Sequence, residues 1–353
     1  MRVTTNSMMR TYNNSLGTAL DTLNASRERV NTGRKYARSY EDPSSALRAA
    51  SLHRKYLSME DHIDTVKNAQ SRQDTAEGSL RQIVSMVGST ANDETLKAIS
   101  GTSDASARQT YAAALRQTQQ SLLQFANITY GDKYLFAGAD GKNIAFSQDD
   151  HGNITYRGIN VSTGEWPGHT NAEGLNELAR LSEEKLYVDI GLGMQTNNGG
   201  IAISSDDFNG SSAFNISLPG IKSFGFGTTG TGNPGDPKIS SNVFALLGEM
   251  ATELEKGPAF DAELFGKMRE NLTACHAGLT DLEANMGVKT NFLEATAERA
   301  EDDLLNLNKQ IESVEYLEPA KAITDFSYSQ YTYNMILKVG NSLLSSSFVD
   351  FMR

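Results

Sequence analysis

Apolar residues recur three and four positions apart through most of the first third of the chain. From about residue 5 to residue 31 the repeat comprises Met9, Tyr12, Leu16, Ala19, Leu23, Ser26 and Val30. Alternating steps of three and four keep these residues on one stripe of an α-helix. Gly33 follows where a C-terminal cap is expected, because glycine readily adopts the left-handed conformation that ends many helices. The pattern therefore predicts a first amphipathic helix.

Two further helices are predicted before residue 131. Asp42 is a favourable N-cap and Pro43 suits the first helical position, so the second helix should run from Pro43 to about Gly88. Its less regular buried stripe comprises Ile63, Val66, Ala76, Leu80, Ile83 and Val87. A polar loop from GSTANDE to GTSD then leads to a third helix over about 103–130. That helix carries the stripe Tyr111, Leu115, Thr118, Leu122 and Phe125.

The composition changes sharply at Gly131. Nineteen of the 30 glycines and four of the seven prolines fall between Gly131 and Ser240. Short runs typical of strands occur here, namely KYLFAG, NITYRG, KLYVDIGLG, GIAIS and FNISLPG. Turn sequences such as ADGK, DDHGN, TNNGG and FNGSS separate them. Residues 131–240 are therefore expected to form an inserted, largely β domain.

Helical periodicity returns at about Ser241. A long helix is predicted from Asp261 to Glu315, with a heptad stripe of Leu272, Cys275, Leu279, Leu282, Met286, Leu293, Ala300, Leu304, Leu307, Ile311 and Val314. A last helix should run from Pro319 to about Ser346. Its predicted seam comprises Ile323, Phe326, Tyr333, Leu337 and Leu344.

The order helices, glycine-rich insertion, helices predicts a mainly α protein with an inserted β domain. A single helix with one apolar stripe cannot bury that stripe alone, so the two terminal helices are expected to pair as an antiparallel coiled coil or bundle. Apolar surface would remain on such a pair, and neighbouring copies of the chain are expected to cover it. The predicted domains are 1–42 with 317–353, 43–130 with 241–316, and 131–240 as the outer β-rich domain.

Charge and cysteine content limit the classes of partner and the cellular location that the chain could have. A net charge of −11 and a pI near 5.0 argue against nucleic acid as a partner, and no run of residues is apolar enough for membrane insertion. The N-terminus lacks the apolar region of a Sec-type signal. With Cys275 as the only cysteine, no intramolecular disulfide is possible. Either a reducing cytoplasm or export of an unfolded, disulfide-free chain explains this.

No catalytic, metal or cofactor-binding motif emerges from the sequence. The five histidines match no zinc-protease pattern, and His151 in DDHGN is best explained as a turn residue. The GxG pairs at Gly191 and Gly225 do not continue into a nucleotide-binding motif. Cys275 falls on the predicted heptad stripe and is interpreted as a small core residue. The chain is expected to be no enzyme and to need no cofactor.

Three separated stretches resemble one protein family. MRVTTNSMMRTYNNSL and NTGRKYARSYEDPSSALRA resemble the N-terminal conserved region of bacterial flagellins and their relatives. LLQFANITYGDKYLFAGADGKNIAF resembles the hook–filament junction branch of that family. So does the tail, at Leu343, Ser347, Phe348, Asp350, Phe351 and Met352. The resemblance covers about residues 1–146 and 262–353, whereas 147–240 match nothing, and Tyr40-Glu41 departs slightly from the family pattern.

The resemblance implies a fold and a function. The fold would be a terminal coiled-coil domain, a helical-bundle domain and an outer β domain. The function would be that of a structural subunit, assembled with itself into a ring between a FlgK-type hook-associated protein and the first flagellin subunits. The chain would reach the outside of the cell unfolded, through the flagellar type III export apparatus, with a FlgN-type chaperone shielding its C-terminal region.

The predicted functional site is a subunit interface. Its expected residues are Met9, Tyr12, Leu16, Leu23, Leu337, Leu344, Phe348, Phe351 and Met352. A family-motif loop contains Gly33, Arg34, Asp42 and Pro43. Two alternatives stay open: a flagellin that forms the filament itself, and a secreted adhesin or enzyme with helical arms. The second would need a site within 131–240, where the sequence offers none.

Overall fold

A computed structural model describes residues 5–99, 105–149, 151–191, 213–229 and 238–351, and at residues 5, 6, 99, 105 and 343–351 it describes the backbone only. The α-helices of these ranges are α1 (Thr5–Thr32), α2 (Pro43–Ser89), α3 (Thr95–Ile99), α4 (Ala105–Ala126), α5 (Asn171–Ser182), α6 (Gly220–Phe224), α7 (Val243–Glu255), α8 (Ala262–Glu315) and α9 (Pro319–Phe351). A π-helical segment, Thr90–Glu94, joins α2 to α3, and a 3₁₀ turn, Gly257–Ala259, precedes α8.

The strands are short and all pair in antiparallel fashion. They are β1 (Thr129–Tyr130), β2 (Lys133–Tyr134), β3 (Phe146–Gln148), β4 (Ile154–Tyr156), β5 (Ile159–Asn160), β6 (Tyr187–Val188), β7 (Phe214–Asn215), β8 (Thr228–Thr229) and β9 (Ile239–Ser240). The pairs are β1–β2, β6–β7 and β8–β9, and β3, β4 and β5 form a three-stranded sheet in that order. Long helices around a small strand-containing region confirm the expected fold class.

The chain divides into two compact units. The terminal unit comprises Met1–Asp61 and Ala300–Arg353, and the central unit comprises His62–Arg299. The predicted three-domain division, with its boundaries near residues 42 and 316, stays a prediction.

The central unit has a large aromatic and aliphatic core. Phe146 lies in the middle of it, with its ring centroid 4.9 Å from that of Tyr156, 5.0 Å from that of Phe244 and 5.6 Å from that of Phe224. The predicted α2 stripe from Ile63 to Val87 is buried, which confirms it. Helix α8 contributes Phe265, Leu272, Leu279 and Met286 to this core.

The terminal unit has a much smaller core. Ala49 and Leu52 of α2 pack against Ile311 and Val314 of α8, with Tyr56 and Leu307 partly buried beside them. Nearby, His53 Nε2 lies 3.0 Å from a carboxylate oxygen of Glu315. The helices α1 and α9 form the rest of this unit.

Two sequence expectations about secondary structure were wrong. The expected loop after Gly88 is largely helical, because the π-helical segment and α3 continue α2 as far as Ile99. Thr90 and Thr95 are buried there, and their hydroxyls donate to the carbonyls of Met86 (2.9 Å) and Ala91 (2.8 Å). The hydroxyl groups of these buried threonines are thus hydrogen-bonded to backbone carbonyls of the same helical segment.

The region expected to be largely β also contains a 12-residue helix, α5. Thr170 caps it through a reciprocal capping box, in which the Thr170 hydroxyl accepts from the Glu173 N–H and the Glu173 carboxylate accepts from the Thr170 N–H. The third helix ends at Ala126 rather than near residue 130, because β1 begins at Thr129. The expected strand GIAIS lies outside the described residues.

Candidate assembly surface

Helices α1 and α9 pair side by side in opposite directions. Near one end, the hydroxyls of Ser26 and Ser329 lie 3.0 Å apart and are buried. Towards the other end, the ring of Tyr12 lies directly against Gly340. The contact partner in α9 comes later in the sequence as the residue in α1 comes earlier, so the two helices are antiparallel. The two amphipathic patterns predicted this pairing.

The stripe along which the two helices meet, termed the inner seam, alternates large side chains with small residues. In α1 it comprises Met9, Tyr12, Leu16, Ala19, Leu23 and Ser26. In α9 it comprises Ala322, Phe326, Ser329, Tyr333, Ile336 and Gly340. A side chain at position 340 has no room, because a Cβ there would lie 2.1 Å from the Tyr12 ring. Small seam residues let the helices approach closely but bury little apolar area.

The predicted interface residues of α1 lie on this inner seam. Met9, Tyr12, Leu16 and Leu23 are each half-buried, on the same stripe as Ser26, which contacts α9. A large part of their surface is therefore already covered within the chain. Their role as contacts between subunits stays a prediction.

The predicted seam of α9 was wrong at two positions. Ile323 and Leu337 are 57% and 39% exposed, and the seam instead passes through Ala322 and Ile336, one residue earlier. Ser329 and Gly340 are not hydrophobic, so a search for apolar residues does not place them in the seam. The larger apolar residues Ile323 and Leu337 were assigned to the seam instead. The side chains of Leu344, Phe348 and Phe351, and all of Met352, lie outside the described residues.

A second apolar stripe follows the other side of α9, and we term it the outer stripe. It comprises Tyr328, Tyr331, Met335 and Val339, which are 72%, 62%, 43% and 54% exposed. At 3.6 residues per turn, its mean direction lies roughly 135° around the helix from the inner seam. Sequence analysis missed this stripe, although its three- and four-residue steps were visible. An amphipathic surface helix ordinarily carries polar residues on this side.

The family-motif loop is held by backbone hydrogen bonds within the terminal unit. Gly33 has a φ of +67°, and its N–H donates to Arg29 O, which ends α1 as predicted. The loop then pairs with the link between α8 and α9, since Leu317 N donates to Gly33 O (2.8 Å) and Lys35 N donates to Glu315 O (2.7 Å).

Asp42 caps α2 as predicted. Its carboxylate accepts from the Ser45 N–H (3.1 Å) and the Ser44 hydroxyl (2.8 Å). These hydrogen bonds, those of Ser45 above all, lower the pKa of Asp42 to about 2. Pro43 occupies the first helical position, where its missing N–H costs nothing.

The histidines and the cysteine have ordinary structural surroundings. His151 lies in the turn that the sequence predicted, with its N–H donating to Asp149 Oδ1 at 2.9 Å. Cys275 is half-buried against the central core, and burial raises the pKa of its thiol. Across the described ranges, no cluster of histidine, cysteine and acidic side chains could hold a metal ion. No helix in these ranges is long and apolar enough to span a membrane.

Comparison with known protein families identifies the N-terminal part of the chain. Residues 3–140 match the family described as the bacterial flagellin N-terminal helical region. This N-terminal region is therefore similar to the helical region of bacterial flagellins. The match agrees with the expectation of a structural protein of the flagellum. No individual curated protein matches the chain in sequence.

Solved structures resemble the fold of this chain. A protein from Vibrio parahaemolyticus, assigned as flagellar hook-associated, superposes with a TM-score of 0.57 at 15% identity, covering 78% of this chain and 100% of that chain. Flagellar hook-associated protein-3 from Legionella pneumophila gives 0.50 at 13% identity, covering 75% and 98%. At such identities the likeness establishes a common fold.

Proposed function

We propose that this chain is the structural subunit of the hook–filament junction, of the FlgL type. The observation that carries the proposal is the outer stripe of α9. Its four large apolar side chains are exposed on a helix whose other side already packs on α1. A continuous exposed apolar stripe on an otherwise acidic protein favours a surface that other chains cover.

The fold supports the junction over the filament. Its solved counterparts above are described as hook-associated, and this chain covers nearly all of their length. The YLFAG stretch and the SFVDFMR tail point the same way, through their resemblance to the junction branch. A filament subunit of the same family would share the N-terminal helical region, so that region alone does not separate the two functions.

The partners follow from the proposed position. Copies of the chain would form a ring through the outer stripe and the C-terminal end of α9. The ring would contact a FlgK-type protein on the hook side and flagellin on the filament side. Export through the flagellar type III apparatus, aided by a FlgN-type chaperone, is part of the same proposal and accounts for the absence of disulfide chemistry.

Location on the flagellum tests the proposal directly. Cells that produce the epitope-tagged chain are labelled with gold-conjugated antibody and viewed by electron microscopy. A junction subunit gives one band of label at the distal end of the hook, whereas a filament subunit gives label along the whole filament. Label on the cell body without flagellar label would instead favour the adhesin or enzyme.

Deletion of the gene supplies the matched functional readout. Loss of a junction subunit should leave hooks without filaments and release flagellin monomers into the medium. Loss of a filament subunit should remove that flagellin altogether. Normal filaments in the deletion strain would overturn the proposed function.

A further inference from the structure

Arg72, in the middle of α2, is a largely buried cation. The residue is only 9% exposed, and its Nε–H is buried without a hydrogen-bond acceptor among the described residues. No ion pair to its guanidinium is found in the part of the chain that the structure describes. Arginines are rarely buried unless they are paired, because an uncompensated charge away from water is costly.

Arg72 lines a cavity of about 440 Å³ within the central unit. Thr65, Asn68 and Arg72 line one side of it, and their spacing places them on one face of α2. The hairpin of β1 and β2 contributes Tyr130 and Lys133 to the opposite wall. The volume lies within the range of small-ligand sites.

The cavity combines positive charge with apolar walls. Lys133 adds a second cation to its lining, and Leu135, Val188 and Ile216 supply apolar surface. Asp132 also lines the cavity but forms no ion pair or hydrogen bond with Arg72. Burial lowers the pKa of the Arg72 guanidinium, with no acidic neighbour offsetting the effect. The guanidinium nevertheless stays charged, since arginine is not deprotonated in proteins.

We propose that this cavity binds a carboxylate, which pairs with Arg72 in a two-point hydrogen bond. The planar guanidinium fork matches the two oxygens of a carboxylate, and such pairs are stronger than neutral hydrogen bonds. The apolar walls favour an acid that carries a short hydrocarbon body. This carboxylate belongs either to a free organic acid or to an aspartate or glutamate side chain of another protein. The site is separate from the outer stripe and does not depend on the proposed function.

Titration calorimetry on the full chain tests the proposal, with acetate and succinate as free acids and a terminally blocked Ala-Glu-Ala peptide as the side-chain source. We expect saturable binding of at least one of these probes. Tighter binding of the blocked peptide than of either free acid would assign the site to a protein side chain. The reverse order would assign it to a small metabolite.

Variants separate the Arg72 site from non-specific charge. Arg72→Met should weaken carboxylate binding at least about tenfold, since a charge-assisted pair is lost. Arg72→Lys keeps the charge but loses the fork and should bind with intermediate affinity. The matched control is Arg81→Met on the same helix, where the exposed arginine pairs with Glu77 and Glu283. That variant should bind as the wild type does.

An NMR measurement on Arg72 tests the proposed contact directly, without relying on binding affinities alone. A terminal Nη–H resonance of Arg72, assigned by its loss in Arg72→Lys, should move downfield when the carboxylate is added, because the guanidinium gains an acceptor. The proposal is overturned if no probe binds the wild type, if Arg72→Met binds equally well, or if chloride or phosphate moves the resonance as far as the carboxylates do.

Discussion

The central and terminal units use aromatic residues in opposite ways. In the central unit, Phe146 and Tyr156 are at most 1% exposed and pack in a cluster with Phe224 and Phe244. In the terminal unit, Tyr328 and Tyr331 are more than half exposed, and the inner seam on the other side of α9 includes the small residues Ser329 and Gly340. One unit buries its large apolar groups within the chain, and the other presents them outward.

The difference teaches where each unit obtains its stability. Apolar burial contributes about 25 cal/mol per Å² removed from water, so the dense core of the central unit can hold that unit folded by itself. The α1–α9 pair buries less and should gain further stability when other chains cover the outer stripe, because binding to the folded state alone stabilises it. The four predictions below test this contrast.

Phe146→Ala should have the largest effect on the central unit. Loss of a fully buried phenylalanine leaves a cavity, and the expected loss of stability is about 3–5 kcal/mol. Urea unfolding followed by the fluorescence of Trp166, the single tryptophan, measures it, since Trp166 packs against the same core. Phe292→Ala, at a 46% exposed site of that unit, is the control and should cost much less. Equal losses would mean that core burial does not set the stability of this unit.

Gly340→Ala should disrupt the terminal unit and leave the central unit intact. The new methyl group would meet the Tyr12 ring, and such overpacking costs about 1–3 kcal/mol. Amide hydrogen exchange should therefore accelerate in 5–32 and 319–342, without a change in the Trp166 unfolding curve. Gly17→Ala in α1 is the matched control. It meets open space, so helix propensity should make it stabilising by up to about 1 kcal/mol. The same sign for both variants would refute close packing at the inner seam.

Tyr331→Glu and Met335→Glu should leave the free chain nearly as stable as before. Both positions are exposed, so the expected change is within about 0.5 kcal/mol. In assembled flagella, each would place a charge in a covered apolar surface, and filament formation in cells should fail. Asn334→Glu, at an exposed α9 position off both stripes, controls for added charge. Normal flagella in the two stripe variants would show that the outer stripe is not an assembly surface.

Much of the fold could be predicted because its long helices have strong periodicity. Helices α1, α2 and α8 begin and end within one residue of their expected bounds. Helix α5 was missed because its amphipathic run is short and lies among glycines, although Thr170 and Glu173 form a capping box that the sequence displays. The π-helical segment was missed because its polar residues suggest a loop, and only the structure shows that Thr90 is buried.

The candidate surface could be predicted only in part. The stripe of α1 was correct from Met9 to Ser26, because its large residues mark it, but wrong at Val30, which is 36% exposed. In α9 the seam contains Ser329 and Gly340. These residues fit there because they are small and because the Tyr12 ring lies against Gly340. A hydrophobic pattern shows neither property. The burial of Arg72 without an ion-pair partner among the described residues was equally unpredictable, since it requires knowing which side chains lie within reach. Both features depend on contacts between segments that are far apart in the chain, and the sequence pattern did not reveal which residues make those contacts.

Glu249→Gln should give the smallest effect and shows that even the central unit carries a destabilising group. Burial raises the pKa of the Glu249 carboxyl in α7, despite a hydrogen bond that it accepts from Ser240 N at 3.0 Å. A raised pKa means that the protonated form is favoured in the folded state. The stabilisation that the protonated Glu249 gives the folded state is therefore complete below about pH 4.5, the ordinary pKa of a glutamate. It is lost as the pH rises through the folded-state pKa of Glu249.

The glutamine variant keeps the acceptor for Ser240 and removes the titration. We therefore expect Glu249→Gln to be more stable than the wild type at pH 7, with the difference shrinking towards zero near pH 4. Urea unfolding at several pH values, again followed through Trp166, measures this. Glu263→Gln, at an exposed residue at the start of α8, should not reproduce the pH-dependent gain. A variant that is less stable than the wild type at pH 7 would mean that the ionised carboxylate stabilises the unit through a partner, and that burial is not the dominant influence on Glu249.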